Sequence, residues 1–431
     1  MDEKRIAVIG QGYVGLPLAL SFALHERQVI GVDSDPAICQ NLAKGITTQT
    51  ESFQGKSIQE LLKSLLSSGN YQITSDGAAA VQKSNVIILT VGIPIYDGVA
   101  DFSHFESACQ TIGQNIQKNS LVLIRSTVIP GTTETFCTPL IEQASGLRAG
   151  VDFFIAYVPE RIAEGRAFEE FETMPTLIGA ADADSARLAE EVIRINSQAE
   201  IIHSNSISAV ETSKVLENLQ RDANIAIVQE FARFAEAAGM NTMEVIRLAN
   251  THKRVNLMTP GPGVGGYCIP NAFHYLNASA QALGVDLPLL RLAREKNEAL
   301  PAFFAEKAAE KLAEAGKLVE NAKIAVAGLA MKDCSPDDRL SPAAEICRLL
   351  QKKGAKIAAF DPFVAARHDF QVPSLESAIE NADCLLILNK FFQNYDIKTI
   401  IARMNPPAVI LDTRDLVNPE TLPEGTLFWR I

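Results

Sequence analysis

No uninterrupted apolar run of the roughly 18 residues that a membrane span requires occurs anywhere in the 431-residue chain. The N-terminus passes from MDEKR directly into IAVIG, with no apolar stretch of secretion-signal length, so a cytoplasmic protein without a membrane partner is expected. Basic charge is scarce: 39 Lys and Arg face 51 Asp and Glu, a formal net charge of −12. That balance excludes a general affinity for nucleic acid or anionic membrane, both of which need a basic footprint. An anionic small ligand stays open, because local cations and backbone N–H groups hold phosphate whatever the global charge. The seven cysteines include no CxxC pair, which leaves neither a disulfide framework nor a zinc site of that type. They read as thiols kept reduced, and no metal is expected.

What is present is a soluble globular composition, 47% hydrophobic and 21% charged, in a chain long enough for two or three cores. Short β-branched runs alternate with amphipathic segments as far as His203: IAVIG (6–10), VIGVD (29–33), NVIILTV (85–91), LVLIRST (121–127), FFIAYVP (153–159) and PTLIGA (175–180). Continuous apolar strands between helices mean a parallel sheet covered on both faces. From Ser208 to Ala238 the strand signal vanishes. A long helix is predicted there, opening on a capping box of Ser208 and Glu211 and ending at Gly239. Strand and helix alternate again from KIAVAGLA (323–330) to the C-terminus. The expected fold class is α/β, with two doubly wound Rossmann-like domains, residues 1–203 and 316–431, joined by an all-helical domain at 204–315 that carries a cysteine loop.

Gly10, Gly12 and Gly15 form GxGxxG directly after the first strand and open a helix. The first glycine permits the tight turn, the second lets a pyrophosphate approach the backbone, and the third lets helix and strand pack closely. Asp33 ends the next strand at about the 20-residue distance expected of the acid that accepts from an adenosine ribose. Its charge opposes a 2′-phosphate, so NAD is the expected cofactor. An Asp that merely caps the following helix is the competing explanation for Asp33 taken alone.

Cys268 lies in the glycine-rich segment GPGVGGYCIP, where the chain can approach a ligand closely, and Cys334 in a polar loop is its rival. The remaining cysteines, Cys39, Cys109, Cys137, Cys347 and Cys384, sit in apolar contexts and read as core or half-buried residues. Upstream, Lys214 and Asn218 project from one helix face, with Arg221 a further turn on. A cation and an amide on one stripe can lower a thiol pKa or hold a developing oxyanion. A solvated helix face explains the same stripe, and spacing by itself does not bring it to Cys268.

These features together resemble the UDP-glucose/GDP-mannose dehydrogenase family over nearly the whole chain. The resemblance rests on GQGYVGLPLA (10–19), RSTVIPGTT (125–133), YVPERIAEGRAFEE (157–170), AVETSKVLENLQRDANIAIVQE (209–230), GPGVGGYCIP (261–270) and GLAMKDCSPDDRLSP (328–342). RLANTHKRVNLMTPGPGVGG (247–266) is most similar to the branch acting on UDP-N-acetylmannosamine, with UDP-N-acetylglucosamine enzymes next. The resemblance implies a four-electron oxidation of a sugar C6 alcohol to a carboxylate with NAD, through a thiohemiacetal and a thioester on Cys268. Lys214 and Asn218 would stabilise the alkoxide and oxyanion, Glu160 would activate the hydrolytic water, and Thr127 would position it.

By the same resemblance, Tyr13 and Val14 join the glycines, Thr127 and Arg339 in holding the cofactor. Substrate contacts would come from Glu160, Arg161, Lys214, Asn218, Gly265 and Lys332, with His252 and Arg254 reaching the sugar or nucleotide within the chain or from a neighbouring subunit; a plain surface loop is the competing explanation for both. The implied assembly is a homodimer, and the implied setting is surface polysaccharide synthesis.

The chain departs from the family pattern at Ala272, where CxPxD calls for an aspartate, at VGIP (91–94) in place of VPTP, and at Tyr267 in place of a histidine. Two further readings therefore stand beside the active UDP-sugar dehydrogenase. One is a nucleotide-sugar and NAD-binding homologue of low turnover. The other is a 6-phosphogluconate or hydroxyacid dehydrogenase, which accounts for neither the GGYCIP thiol nor the last domain.

Overall fold

The computed structural model describes residues 5–431. Eight strands form the first sheet: β1 (Arg5–Ile9), β2 (Gln28–Val32), β3 (Tyr71–Thr74), β4 (Val86–Leu89), β5 (Leu121–Ile124), β6 (Phe154–Tyr157), β7 (Thr176–Gly179) and β8 (Ile201–Ser204). Their order is β8-β7-β6-β5-β4-β1-β2-β3. All neighbours run parallel except β6 and β7, which meet antiparallel where Tyr157 faces Gly179. β4 and β5 are buried at every position, because helices cover both faces and no alternation of polar residues is tolerated. The chain leaves β1 toward β2 and returns on its other side as β4, so the crevice at the carboxyl ends of β1 and β4 is the switch point where such sheets bind ligands.

Helix α1 (Gly15–Leu24) follows β1 and is buried from Gly15 through Ala23, lying among Val8, Leu62, Ile88 and Phe171 of the core. Helix α2 (Ile207–Ala237) begins earlier than the capping box required. Ser206 Oγ accepts the Ala209 N–H at 3.1 Å, and the Glu211 carboxylate is buried elsewhere, accepting the N–H groups of Gly131 at 2.5 Å and Thr133 at 2.9 Å. Two loop donors hold that acid more firmly than a helix terminus in solvent. The predicted stop holds: at Gly239, φ +68°, the Met240 N–H reaches back to the Ala235 carbonyl at 2.8 Å.

The second sheet comprises β9 (Lys323–Ala327), β10 (Lys356–Phe360), β11 (Cys384–Ile387), β12 (Val409–Asp412) and β13 (Leu427–Arg430), all parallel, in the order β10-β9-β11-β12-β13. Its two faces bury different residues, as the two-residue strand period demands. Leu386 packs on one side with Phe304 and Leu312 of the helix Leu300–Glu314, and Leu385 and Ile387 pack on the other with Ile379 and Phe391.

The chain forms two compact units. One holds the described residues up to Glu217 together with His274–Asp286, and the other holds Asn218–Phe273 with Leu287–Ile431. Two of the three divisions fall inside α2 and inside α3 (Cys268–Ala282). Among the described residues no helix is long and apolar enough to cross a membrane.

Candidate active site

In the first unit, each glycine of the turn after β1 has a distinct physical requirement. Gly10 takes φ +93°, and Thr90, at the end of β4, caps the turn through Oγ1 donating to the carbonyls of Ile9 and Gly10 at 2.9 and 2.8 Å. A Cβ on Gly15 would lie 1.8 Å from the Gly10 carbonyl oxygen, whereas one on Gly12 would meet nothing within 4 Å. The turn is therefore closed on its protein side and open at Gly12, the cradle a pyrophosphate needs. Tyr13 and Val14 follow, half-buried, ahead of α1. Asp33 bridges the turn and the next helix: Oδ2 accepts the Gln11 N–H at 2.8 Å and Oδ1 the Asp35 N–H at 3.0 Å. The helix cap proper is Asp35, so Asp33 is not the N-cap that the simpler explanation required. These residues fit NAD.

β5 and β6 end side by side, with Ile124 opposite Tyr157, and deliver a second group of polar residues. Arg125 and Glu160 form a buried ion pair there. The same carboxylate accepts the N–H groups of Arg161 at 2.8 Å and Ile162 at 3.1 Å on Oε1. Thr127, three residues beyond β5, is half-buried. Arg161 donates to the Pro175 carbonyl at 2.8 Å and pairs with Glu217 at 2.8 Å, and Glu217 lies 4.0 Å from Lys214 Nζ. A shallow cleft is lined by Arg125, Glu160, Arg161, Glu170 and Asn196.

In the second unit, Cys268 is exposed and is the first residue of α3, so the thiol sits on a helix N-terminus rather than inside the glycine loop. Pro270 lies in the first turn, where a missing N–H costs no helix bond. The buried Asn218 side chain donates to the Cys268 carbonyl at 3.2 Å, which fixes the backbone that carries the sulfur. Ala272, a turn further along α3, is fully buried.

The glycine loop before Cys268 is fastened to the segment after β9. The Gly266 N–H donates to the Arg339 carbonyl at 2.9 Å, and a Cβ on Gly265 would lie 2.7 Å from Met331 Cβ. Arg339 donates to Asp337 at 2.8 and 2.5 Å, and its guanidinium lies 5.1 Å from the Tyr267 ring centroid. Lys332 is exposed, its carbonyl accepting from Asn389 at 3.4 Å, and Arg414 pairs with Asp333 beside it. His252 and Arg254 stand on the exposed turn after the helix Thr242–Ala249, where His252 Nδ1 accepts the Arg254 N–H at 3.3 Å.

The expected residues thus fall into groups: Gly10, Gly12, Gly15 and Asp33 at the first turn, Glu160 and Arg161 with Lys214 through Glu217, and Asn218 with Cys268. Sequence reasoning assigned no role to Arg125, Glu217, Asp337 or Arg414. The first three stood inside the quoted motifs, but Arg125 meets its partner through strand adjacency and Glu217 through the packing of α2 against the segment after β6. Cys109, Cys137, Cys347 and Cys384 are buried as expected, and burial pushes the thiols of Cys347 and Cys384 well up. Cys334 is exposed at φ +54°.

Residues 4–196, 208–299 and 325–419 match, in that order, the NAD binding, central and UDP binding domains of the UDP-glucose/GDP-mannose dehydrogenase family. The chain is 37% identical over 426 residues to the UDP-N-acetyl-D-mannosamine dehydrogenase of Pyrococcus horikoshii, covering 98% of each. A solved structure of the UDP-D-ManNAc dehydrogenase from Pyrococcus horikoshii superposes with a TM-score of 0.91 at 36% identity, over 99% of both chains. The UDP-N-acetyl-D-glucosamine 6-dehydrogenase of Pseudomonas aeruginosa is 30% identical over 430 residues, 97% of this chain and 99% of its own. The architecture is accordingly a three-domain one: an NAD-binding Rossmann-like domain, a helical centre and a C-terminal UDP-binding domain.

Proposed function

The chain belongs to the UDP-glucose/GDP-mannose dehydrogenase family, and from that premise we propose that it oxidises the C6 alcohol of a UDP-N-acetylhexosamine, UDP-N-acetylmannosamine foremost, to the uronate through Cys268. The observation that carries the mechanism is the hold of Asn218 on the Cys268 carbonyl, with the thiol exposed at the start of α3. First-turn N–H groups and the helix dipole favour negative charge gathering beside that sulfur. The epimer rests on the names of the relatives, and the UDP-N-acetylglucosamine and UDP-glucose substrates are the alternatives a substrate panel resolves.

NAD, when held by Gly10, Gly12, Tyr13, Val14, Gly15, Asp33, Thr127 and Arg339, supplies the electron acceptor for both oxidation levels between alcohol and acid. The chain's own residues do the rest. Cys268 Sγ bonds to the aldehyde-level carbon and keeps it from diffusing away. Lys214 and Asn218 hold the charge on the carbon's oxygen. Glu160 and Thr127 hold the water that displaces sulfur from the thioester. Arg161, His252, Arg254, Gly265 and Lys332 hold the nucleotide sugar.

The reading extends to assembly and setting. Ile227, Phe231 and Phe234 are exposed on α2 at positions that share a helix face, which supports a homodimer through that helix. Limits at 203 and 315 remain our proposal for the three domains, with work in the cytoplasm on a polysaccharide precursor.

Purified protein given NAD and a panel of UDP-sugars tests all of this by product mass and NADH stoichiometry. Two NADH per uronate are expected, and Cys268→Ser should form no acid. A single NADH with free aldehyde would overturn the covalent route. The low-turnover reading, which the buried Ala272 keeps in view, would be upheld by binding of both ligands without uronate.

A further inference from the structure

The Glu160 carboxylate is unusually constrained for a group with a task in chemistry. A carboxylate has about four acceptor sites. Arg125 takes one on Oε2, and the N–H groups of Arg161 and Ile162 take two on Oε1. One direction is left, on the oxygen that Arg125 also holds. Both partners are nearly sealed from solvent, with side chains 6% and 9% exposed.

A buried ion pair is a poor device for stability, since apolar residues of the same volume do as well or better. The Arg125 guanidinium is not saturated either: its buried Nε has no partner in the protein. The side chain sits at the carboxyl end of β5, with its own N–H bonded to the Leu89 carbonyl at 2.9 Å, so the sheet fixes where the guanidinium starts. The geometry is that of a clamp set by the scaffold on one acid.

We propose that Arg125 is a positioning residue for the hydrolytic half of the reaction. It holds Glu160 so that its one remaining acceptor direction receives the water that attacks the thioester. This rests on the role given to Glu160 above. In that step the water oxygen bonds to the thioester carbon and the carbon–sulfur bond breaks. Of the two protons water gives up, one goes to the departing Cys268 sulfur and one by way of Glu160 to solvent. The oxidation steps involve no attacking water, so loss of Arg125 slows hydrolysis and uncouples the two halves.

The test compares wild type, Arg125→Lys, Arg125→Gln and Glu160→Gln by rapid-mixing NADH formation and by intact-protein mass after mixing with NAD and the UDP-sugar that wild type turns over. For both Arg125 variants the first-turnover NADH should stay within about twofold of wild type. Steady-state turnover should fall on the order of 10²-fold, the low end for a placed acid–base group. An acyl adduct should accumulate on Cys268, less in Arg125→Lys than in Arg125→Gln, and guanidine added to Arg125→Gln should clear it. If Arg125→Gln does not fold, Arg125→Lys carries the test. First turnover slowed as much as the steady state, with no adduct, overturns the inference when Glu160→Gln does accumulate adduct. No adduct in Glu160→Gln instead overturns the role of Glu160 itself.

Discussion

The turn after β1 allows two alanine substitutions of opposite consequence: Gly15→Ala should damage folding, and Gly12→Ala should damage cofactor binding. At Gly15 the new Cβ would fall 1.8 Å from the Gly10 carbonyl oxygen and 2.6 Å from Thr90 Oγ1. The first is backbone, so helix α1 must move off β1. Overpacking of this kind costs about 1–3 kcal/mol, and the better helix propensity of alanine returns only about 0.5–1 kcal/mol of it. At Gly12 nothing lies within 4 Å, so the folded protein should tolerate the methyl within about 0.5 kcal/mol. The same methyl occupies the approach of the pyrophosphate, and NAD affinity should weaken at least tenfold, about 1.4 kcal/mol. Urea denaturation without cofactor and calorimetric titration with NAD separate the two effects. A Gly12→Ala protein that binds NAD as the parent does would refute the assignment of this turn to the cofactor.

Three other perturbations follow from particular contacts. Arg294 Nη1 pairs with the buried Asp222 at 2.9 Å, and Arg294→Met should lower unfolding stability by about 3–5 kcal/mol because the acid is left without its cation. Burial already raises the Asp222 pKa, so this loss should shrink toward acid pH, where the acid is neutral, and a loss below about 1 kcal/mol at pH 7 would contradict the account. Burial likewise raises Glu211, whose neutral form is thus the better fit to the fold; its contribution is complete below the unfolded pKa and fades as pH rises through the folded one. Urea melts of wild type against Glu211→Gln from pH 4 to 8 should show the wild type losing ground as pH rises, and the opposite slope would refute it. Replacing exposed Phe231 and Phe234 by serine should convert a dimer to monomer in sedimentation without lowering monomer stability by more than about 0.5 kcal/mol, and an unchanged mass would remove α2 from the interface.

The chain's local chemistry determined much of this protein. Continuous apolar runs specified the buried parallel strands, because two covered faces leave no room for alternation. Gly10, Gly12 and Gly15 declared three separate mechanical tasks; the turn shows those of Gly10 and Gly15, and leaves Gly12 open. Gly239 marked a helix end that a left-handed residue had to close. Tertiary structure decided what lies far apart in sequence. The capping box at Ser208 was a sound local expectation, yet Glu211 turned to donors 78 and 80 residues away in the loop after β5. Arg125 meets Glu160 across 35 residues because β5 and β6 are neighbours in register. Asn218 reaches the Cys268 backbone across 50 residues. Periodicity and turn chemistry act over a few residues and are written in the chain itself. An ion pair or side-chain anchor between distant segments exists only once strand order and register have brought its two halves together.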